Sequence, residues 1–234
     1  MTERARASTD EIAAGRKLAG HLRRQHDAAF WSEPVNALTN LAFLLAALWA
    51  FRRWRASGGG DRATLALIAL VATIGAGSFL FHTFANRWSA LADVLPIAAF
   101  IYGFFALALH RLVGLSRLAT LLGTVALMAF SQFGAPLAEP LLGSSEAYLP
   151  ALLALYGVGA WLVIRGQGAA GRGLLLAGAV FTLSLFFRMA DDPVCPYWPL
   201  GTHFLWHGLN AVTLALCLRV ALKHRAGARG RTIS

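Results

Sequence analysis

Charged residues are scarce in this chain, and most of them lie where a membrane protein would carry them. Only 14% of the 234 residues are charged and 57% are hydrophobic, whereas soluble domains carry about a quarter charged residues. This deficit excludes an ordinary soluble domain and indicates lipid as the surrounding solvent. The formal net charge of +10 would by itself suit nucleic acid, but the arginines lie in tails and short loops, where basic residues orient membrane proteins. We therefore expect no nucleic-acid partner.

Cysteine and lysine are almost absent, and each shortage excludes a class of protein. Cys195 and Cys217 are too few for a thiolate cluster, and their different expected depths argue against a disulfide. The two lysines, Lys17 and Lys223, lie outside the apolar segments. This excludes a retinal photoreceptor, which needs a lysine inside the last helix to form a Schiff base. Residues 1–30 lack the apolar core of a signal peptide, so we expect the first spanning helix to direct membrane insertion.

Seven apolar segments follow the N-terminal tail. Each approaches the ~20 residues that cross a bilayer core, and they are predicted to be helices because backbone groups in lipid must pair within the segment. Asp93 is the one carboxylate inside them. The sequence therefore predicts an all-α fold, an integral membrane bundle of seven transmembrane helices. The segments run Asn36–Phe51, Ala63–Phe84, Ala90–Leu109, Arg117–Gly134, Ala147–Ile164, Gly173–Arg188 and Leu200–Leu222.

One membrane domain, residues 31–222, is predicted between two basic tails. Residues 1–30 have the pattern of an amphipathic surface helix after a capping-box sequence, although an unstructured basic tail fits equally well. Residues 223–234 form a basic tail. Arginines are concentrated in the first, third and fifth loops and after the last segment, which places the C-terminus in the cytoplasm and the N-terminus outside. The six basic residues of the N-terminal tail argue for the opposite orientation.

Polar residues of three segments fall at one membrane face. With seven crossings, the end of the second helix (Ser78, His82) lies at the same face as the starts of the third (Asp93) and the seventh (His203, His207). Ionisable groups in a membrane are costly and usually mark a functional site. His203 and His207 are four residues apart, so both imidazoles project from one side of a helix. With His82 they would give three nitrogen ligands and an open fourth position, as in catalytic zinc sites.

This group of residues predicts hydrolytic chemistry. Zinc with an open position supplies a nucleophilic water at neutral pH. Asp93 is placed to accept a proton or to orient a histidine, and Ser78 to donate a hydrogen bond to a developing oxyanion. Each residue alone has an ordinary explanation, because a membrane histidine is usually an interhelical hydrogen-bonding partner, a serine a packing residue and an aspartate near a helix start a cap. Their convergence on one face is what favours a site.

Three patches of the sequence are similar to motifs of the alkaline ceramidases and their bacterial relatives. These belong to a wider group of seven-helix metal-dependent hydrolases that includes the adiponectin-receptor and haemolysin-III-like proteins. Glu33 to Asn40 resembles an opening Glu-x-x-Asn-x-x-Ser/Thr-Asn motif, and Gly77 to His82 with Asp93 to Pro96 resembles Gly-Ser-x-x-Phe-His and Asp-x-x-Pro. His203 to His207 resembles His-x-x-Trp-His. Together the patches extend over nearly all of the chain except its tails.

The resemblance implies an enzyme, a zinc-dependent hydrolase that cleaves the amide bond of ceramide-like lipids to a fatty acid and a sphingoid base. It implies that His82, His203 and His207 hold the zinc and that Asp93 and Ser78 are catalytic. The expected partner is a lipid substrate, and the expected location is the inner membrane of a bacterium. The sequence does not predict the oligomeric state.

The sequence departs from the family at one place, and two other functions stay open. Eukaryotic members bind calcium through an acidic stretch before the first helix, but residues 22–27 are basic here. This argues against a calcium site, and Glu33 is interpreted instead as an anchor of helix ends. The alternatives are a non-enzymatic heptahelical receptor or sensor with a structural zinc and no open position, and a haem-binding electron carrier.

Overall fold

The computed structural model describes residues 33–224 and shows an all-helical chain there. In this range 88% of residues are helical and none form a β-strand, which confirms the predicted all-α class. The predicted surface helix in residues 1–30 and most of the C-terminal basic tail lie outside the described residues. The helices are α1 (Pro34–Thr39), α2 (Leu41–Ala56), α3 (Arg62–Phe84), α4 (Arg87–Leu107), α5 (Arg117–Ala129), α6 (Glu139–Leu142), α7 (Leu149–Ile164), α8 (Gly168–Val194) and α9 (His203–Lys223).

Six helical stretches in the described range are long and apolar enough to cross a membrane. This indicates an integral membrane protein. A π-helical turn, Ala108–Val113, lengthens α4, and α1 with α2 forms the first stretch. The stretches are Pro34–Ala56, Arg62–Phe84, Arg87–Val113, Arg117–Ile164, Gly168–Val194 and His203–Lys223.

The predicted count of seven crossings depends on the stretch Arg117–Ile164, which contains the fourth and fifth predicted segments. A straight helix of its 48 residues would be about 72 Å long, more than twice the thickness of a hydrocarbon core. Between α5 and α7 the chain instead passes through π-helical and 3₁₀ turns and the four-residue α6. Gly143 in this connection has a φ of +54°, which ends regular helix. The seventh crossing exists only if α5 and α7 cross separately.

The predicted sixth segment, Gly173–Arg188, ends too early. α8 continues through Pro193 to Val194 and has 27 residues. A proline in the last turn removes one backbone hydrogen bond without interrupting the turns before it. Arg188 therefore lies inside α8 rather than at its edge, where the sequence places it.

Large apolar side chains cover the outside of the bundle. On α5, Leu118, Leu121, Leu122 and Val125 are 51–66% exposed. Soluble monomers rarely expose contiguous apolar patches of this kind, whereas lipid tails solvate them without cost. A separate set of apolar side chains packs in the interior, including Phe43, Val71, Leu162 and Leu218, each at most 2% exposed. The chain thus has one apolar core and one apolar exterior.

A glycine allows α3 and α4 to approach closely. A Cβ atom on Gly77 would overlap the carbonyl oxygen of Ala92 on α4. Small residues at helix crossings are typical of membrane bundles, where packing replaces the hydrophobic effect as the driving force. The contact also brings together the residues that follow these two in sequence, Ser78 and Asp93.

An ion pair joins the start of α3 to the π-helical turn after α4. The Asp61 carboxylate accepts two hydrogen bonds of 2.6 Å from the Arg111 guanidinium. It also caps α3 by accepting hydrogen bonds from the backbone nitrogen and the hydroxyl of Thr64, at 3.2 and 2.6 Å. Burial alone would raise the pKa of Asp61, but the bonds from Arg111 and Thr64 outweigh burial and lower this pKa to about 2.

Replacing Asp61 by asparagine is expected to destabilise the fold by about 1–3 kcal/mol, because the charge that pairs with Arg111 is lost while the amide oxygen still caps α3. Since the folded state lowers the pKa from 3.8 to about 2, this contribution is complete above the unfolded value and is lost as the pH falls towards 2. The apparent melting temperatures of the wild type and Asp61→Asn in detergent should therefore differ at pH 6 and converge near pH 2. The exposed Glu139→Gln is the control, and a difference that persists at pH 2 would contradict this account.

Gly77→Ala is expected to force α3 and α4 apart and to lower stability by about 1–3 kcal/mol, as overpacking does. The control is Gly157→Ala on α7, because a Cβ there meets nothing within 4 Å and alanine favours helix. Thermal unfolding of the two variants in the same detergent measures the difference. Equal tolerance of both alanines would show that the close approach of α3 and α4 is not needed.

Candidate metal centre

Three histidines meet where α3 ends and α9 begins. His82 lies in the last turn of α3, and His203 and His207 lie in the first two turns of α9. One ring nitrogen of each lies within 4.8 Å of those of the other two, which is close enough to bind a metal ion. The predicted convergence of these three residues is therefore confirmed.

The spacing of the rings fits a single ion. With a zinc–nitrogen distance of about 2.1 Å and a ring centre about 1 Å beyond the nitrogen, ligands at tetrahedral angles have ring centres about 5 Å apart. The observed centroid distances are 5.2 Å between His82 and His203 and 4.8 Å for each of the other two pairs. The ring planes are inclined to one another by 60–87° rather than stacked, as expected when three rings point at one centre.

Two of the imidazoles are held at Nδ1 by α1 and the residue before it. The Glu33 carboxylate accepts a hydrogen bond of 2.6 Å from Nδ1 of His82. The Thr39 hydroxyl lies 3.0 Å from Nδ1 of His207 and donates to backbone carbonyls of its own helix, so it accepts from the imidazole. With Nδ1 engaged, Nε2 is the nitrogen left for an ion, the usual arrangement of metal-binding histidines. Glu33 thus joins the start of α1 to the end of α3.

The third imidazole is positioned through the backbone. Asp191 on α8 is 3% exposed, and its Oδ1 accepts hydrogen bonds from the backbone nitrogens of Thr202 (2.7 Å) and His203 (3.0 Å). These amides begin α9 and have no partner within the helix, so Asp191 fixes the residue at which α9 starts. Its Oδ2 lies 3.9 Å from Nδ1 of His203. A Cβ on Gly201, whose φ is +62°, would overlap this carboxylate.

The histidines line a small polar chamber that also contains the two predicted catalytic residues, Ser78 and Asp93. Ser78 and Asp93 lie side by side in its lining, on α3 and α4. The Oδ1 atom of Asp93 is buried and has no hydrogen-bond partner within the described part of the chain. Leaving a buried acceptor unpaired is costly, so this oxygen is available for a ligand of the chamber. Tyr148, Arg188 and Asn210 complete the polar lining.

A cavity lined mainly by apolar side chains adjoins the polar chamber. The chamber and the cavity share four lining residues, Ile74, Ile97, Tyr148 and Asn210. The remaining walls of the apolar cavity are mainly aliphatic and aromatic side chains of α4, α7, α8 and α9. A polar chamber joined to an apolar cavity matches an amphiphilic ligand, whose head and tail need different surroundings.

The sequence does not predict site roles for Thr39, Tyr148 or Arg188. Thr39 lies in the first motif, but its contact with His207 depends on the packing of α1 against α9. Tyr148 reaches the chamber from the irregular connection after α5, which no helical periodicity describes. For Arg188 a signal existed, since a cation inside an apolar segment marks a functional residue, but the sequence places it only at the edge of the sixth segment.

Each single change His82→Ala, His203→Ala or His207→Ala is expected to remove most bound metal from a protein that otherwise holds about one ion per chain. Elemental analysis of purified protein measures this content. Glu33→Gln keeps all three ligands and should weaken metal affinity about 10- to 100-fold. The control is His110→Ala, since the Nδ1 atom of this exposed histidine contacts the Leu115 carbonyl. A folded single-histidine variant with full metal content would disprove the site.

Comparison with known proteins does not identify a family for this chain. A scan against protein-family models finds no match, and no curated protein matches it significantly. The similarity to alkaline ceramidases therefore rests on the three sequence motifs, and the geometry of the centre stands independently of it.

Proposed function

We propose that this chain is a zinc-dependent intramembrane hydrolase that cleaves the amide bond of ceramide-like N-acylated lipids to a fatty acid and a sphingoid base. The observation that carries the proposal is the three-histidine cluster in the wall of a polar chamber that also contains Asp93 and adjoins an apolar cavity. Catalytic zinc sites combine three protein ligands with one open position. The motifs similar to alkaline ceramidases indicate the bond that is cleaved.

Zinc suits the donor set better than magnesium or calcium. The three ligands are neutral imidazole nitrogens, which zinc and its neighbours in the first transition row prefer, whereas magnesium and calcium prefer oxygen. Glu33 and Asp191, two carboxylates beside the histidines, match the charge of a divalent ion. When bound, zinc would polarise a carbonyl group and supply a nucleophilic water at neutral pH.

Asp93 is the proposed proton acceptor and donor. Its unpartnered Oδ1 takes a proton from the attacking water as the water oxygen bonds to the amide carbon. The carboxyl group then returns the proton to the amine nitrogen as the carbon–nitrogen bond breaks. Ser78 lines the same chamber as Asp93, and its hydroxyl would donate a hydrogen bond to the developing oxyanion.

The lipid chains occupy the apolar cavity, and the substrate enters laterally from the bilayer. The aliphatic and aromatic side chains that line this cavity suit a hydrocarbon chain, as the apolar linings of ligand pockets do. Because the substrate is itself dissolved in the bilayer and the histidines lie near one membrane face, access between helices needs no passage through water.

The proposed topology has seven crossings, with α5 and α7 spanning separately. The length of Arg117–Ile164 and the irregular connection within it support this count. The arginines of the odd-numbered loops support a cytoplasmic C-terminus and an outer N-terminus, in the inner membrane of a bacterium.

Asp93→Asn is expected to keep the metal and to lower hydrolysis by about 10²- to 10⁴-fold, because the proton acceptor is lost while the ligands stay. Release of fatty acid from ceramides in micelles and elemental analysis of the same preparation measure the two quantities. The matched control is Asp192→Asn, an exposed aspartate at the end of α8.

Chelation of the metal should abolish hydrolysis, and added zinc should restore it. Metal-loaded wild-type protein that releases no fatty acid from any lipid amide would contradict the proposal and favour a receptor or sensor with a structural zinc. Visible absorption of the purified protein tests the haem carrier, and a colourless sample excludes it.

A further inference from the structure

The chamber contains a cation that the hydrolytic steps do not use. Arg188 lines it together with Asp93 and the three histidines. The Arg188 side chain projects from the side of α8 that faces α9. Ser184 and Asp191 lie on the same side of this helix, at helical spacing from Arg188. Ser184 donates a hydrogen bond to the Trp206 carbonyl, and Asp191 caps α9. A guanidinium at membrane depth is costly unless a partner or a hydrated cavity compensates for it.

Uncharged groups hold the Arg188 guanidinium in place. Nη1 donates hydrogen bonds to the hydroxyls of Ser144 (2.9 Å) and Ser145 (2.8 Å). The Cζ atom lies 5.3 Å from the ring centre of Tyr148 and 5.7 Å from that of Trp206, within the range of cation–π attraction. These contacts fix the orientation of the guanidinium without neutralising its charge.

The guanidinium retains donors for a further ligand. Of the five N–H groups of an arginine, Ser144 and Ser145 engage the two of Nη1, which leaves those of Nε and Nη2. Among residues 33–224, no carboxylate forms an ion pair with Arg188. A planar pair of N–H donors matches the two oxygens of a carboxylate better than it matches any neutral group.

We propose that Arg188 binds a carboxylate of the substrate, so that the preferred substrates are N-acyl amino acids rather than amides of neutral amines. This inference rests on the proposed amide-hydrolase function and revises its substrate class, since a sphingoid base carries no carboxylate. Water adds its oxygen to the amide carbon, the carbon–nitrogen bond breaks, and the amine nitrogen gains the proton, giving a fatty acid and an amino acid. In an N-acyl amino acid the carboxylate is attached one carbon from the amide nitrogen. The histidines and Arg188 therefore face neighbouring groups of one molecule.

The physical basis of the preference is the cost of an unmatched charge. A neutral amide would leave the Arg188 donors unpaired in a chamber from which the bound lipid excludes water. Sites built around a buried polar group discriminate strongly against ligands that lack its partner. The apolar cavity contributes equally to both kinds of lipid, because it contacts only the acyl chain.

N-palmitoylglycine and N-palmitoylethanolamine test the inference, because they share the acyl chain and the amide and differ in a carboxylate or a hydroxymethyl group. The wild-type protein should favour the glycine lipid in kcat/KM by on the order of ten- to a hundredfold. Arg188→Gln should reduce this ratio to near one. The matched control is Arg165→Gln at the end of α7, since Arg165 also stacks on an aromatic ring, with Cζ 5.6 Å from the ring centre of Trp161, and does not line the chamber. Its ratio should equal that of the wild type.

A wild-type ratio near one, or an equal loss of both activities in Arg188→Gln, would overturn the inference while leaving the hydrolase proposal intact. If Arg188→Gln does not fold, the double variant Ser144→Ala, Ser145→Ala keeps the charge but frees the guanidinium, and its ratio should fall part of the way. Thermal stabilisation of the metal-loaded protein by each lipid gives a readout without turnover. Selective stabilisation by the glycine lipid without hydrolysis of either lipid would support the Arg188 contact and contradict the hydrolase function.

Discussion

The three imidazoles can face one point because a polar group from another part of the chain engages the outer nitrogen or the backbone of each. Glu33 holds His82 and Thr39 holds His207, while Asp191 accepts from the backbone of His203 and lies 3.9 Å from its Nδ1 atom. In a membrane interior no water competes for these groups, and leaving any of them unpaired would be costly. The requirement to pair buried polar groups therefore shapes the fold and the site at once.

Close packing of α3 makes this pairing possible. The helix contacts α1, α2, α4 and α9 and carries Ser78 and His82 four residues apart. Gly77 brings the backbone of α4 close enough for Asp93 to meet Ser78, and Gly201 allows the Asp191 carboxylate to reach the first amides of α9. The two glycines thus determine where the side chains of Asp93 and Asp191 can lie. An ion held between α3 and α9 would in turn stabilise the packing of these helices.

Some distances within the site are set by local helical structure, and others depend on how separate helices pack. The i, i+4 pair on α9 is local, so its geometry follows from helical pitch alone. The third ligand, the carboxylate on α4 and the guanidinium on α8 come from separate helices, and their distances depend on how those helices cross. The chamber and the apolar cavity share a wall that includes Tyr148, from the irregular connection between α5 and α7. An amphiphile would therefore contact regular helices along its tail and an irregular segment near its head.

The sequence by itself determined the solvent, the all-helical class, the approximate positions of the apolar segments and the identity of the three histidines, because composition, helical periodicity and alternation of membrane faces are properties of the chain. It did not determine the contact of Glu33 with His82, the capping of α9 by Asp191 or the position of Arg188 in the chamber. Those depend on the rotation and crossing of helices, which side-chain packing sets. The early end predicted for the sixth segment has the same origin, since one lost backbone hydrogen bond was outweighed by the packing of α8 against α9.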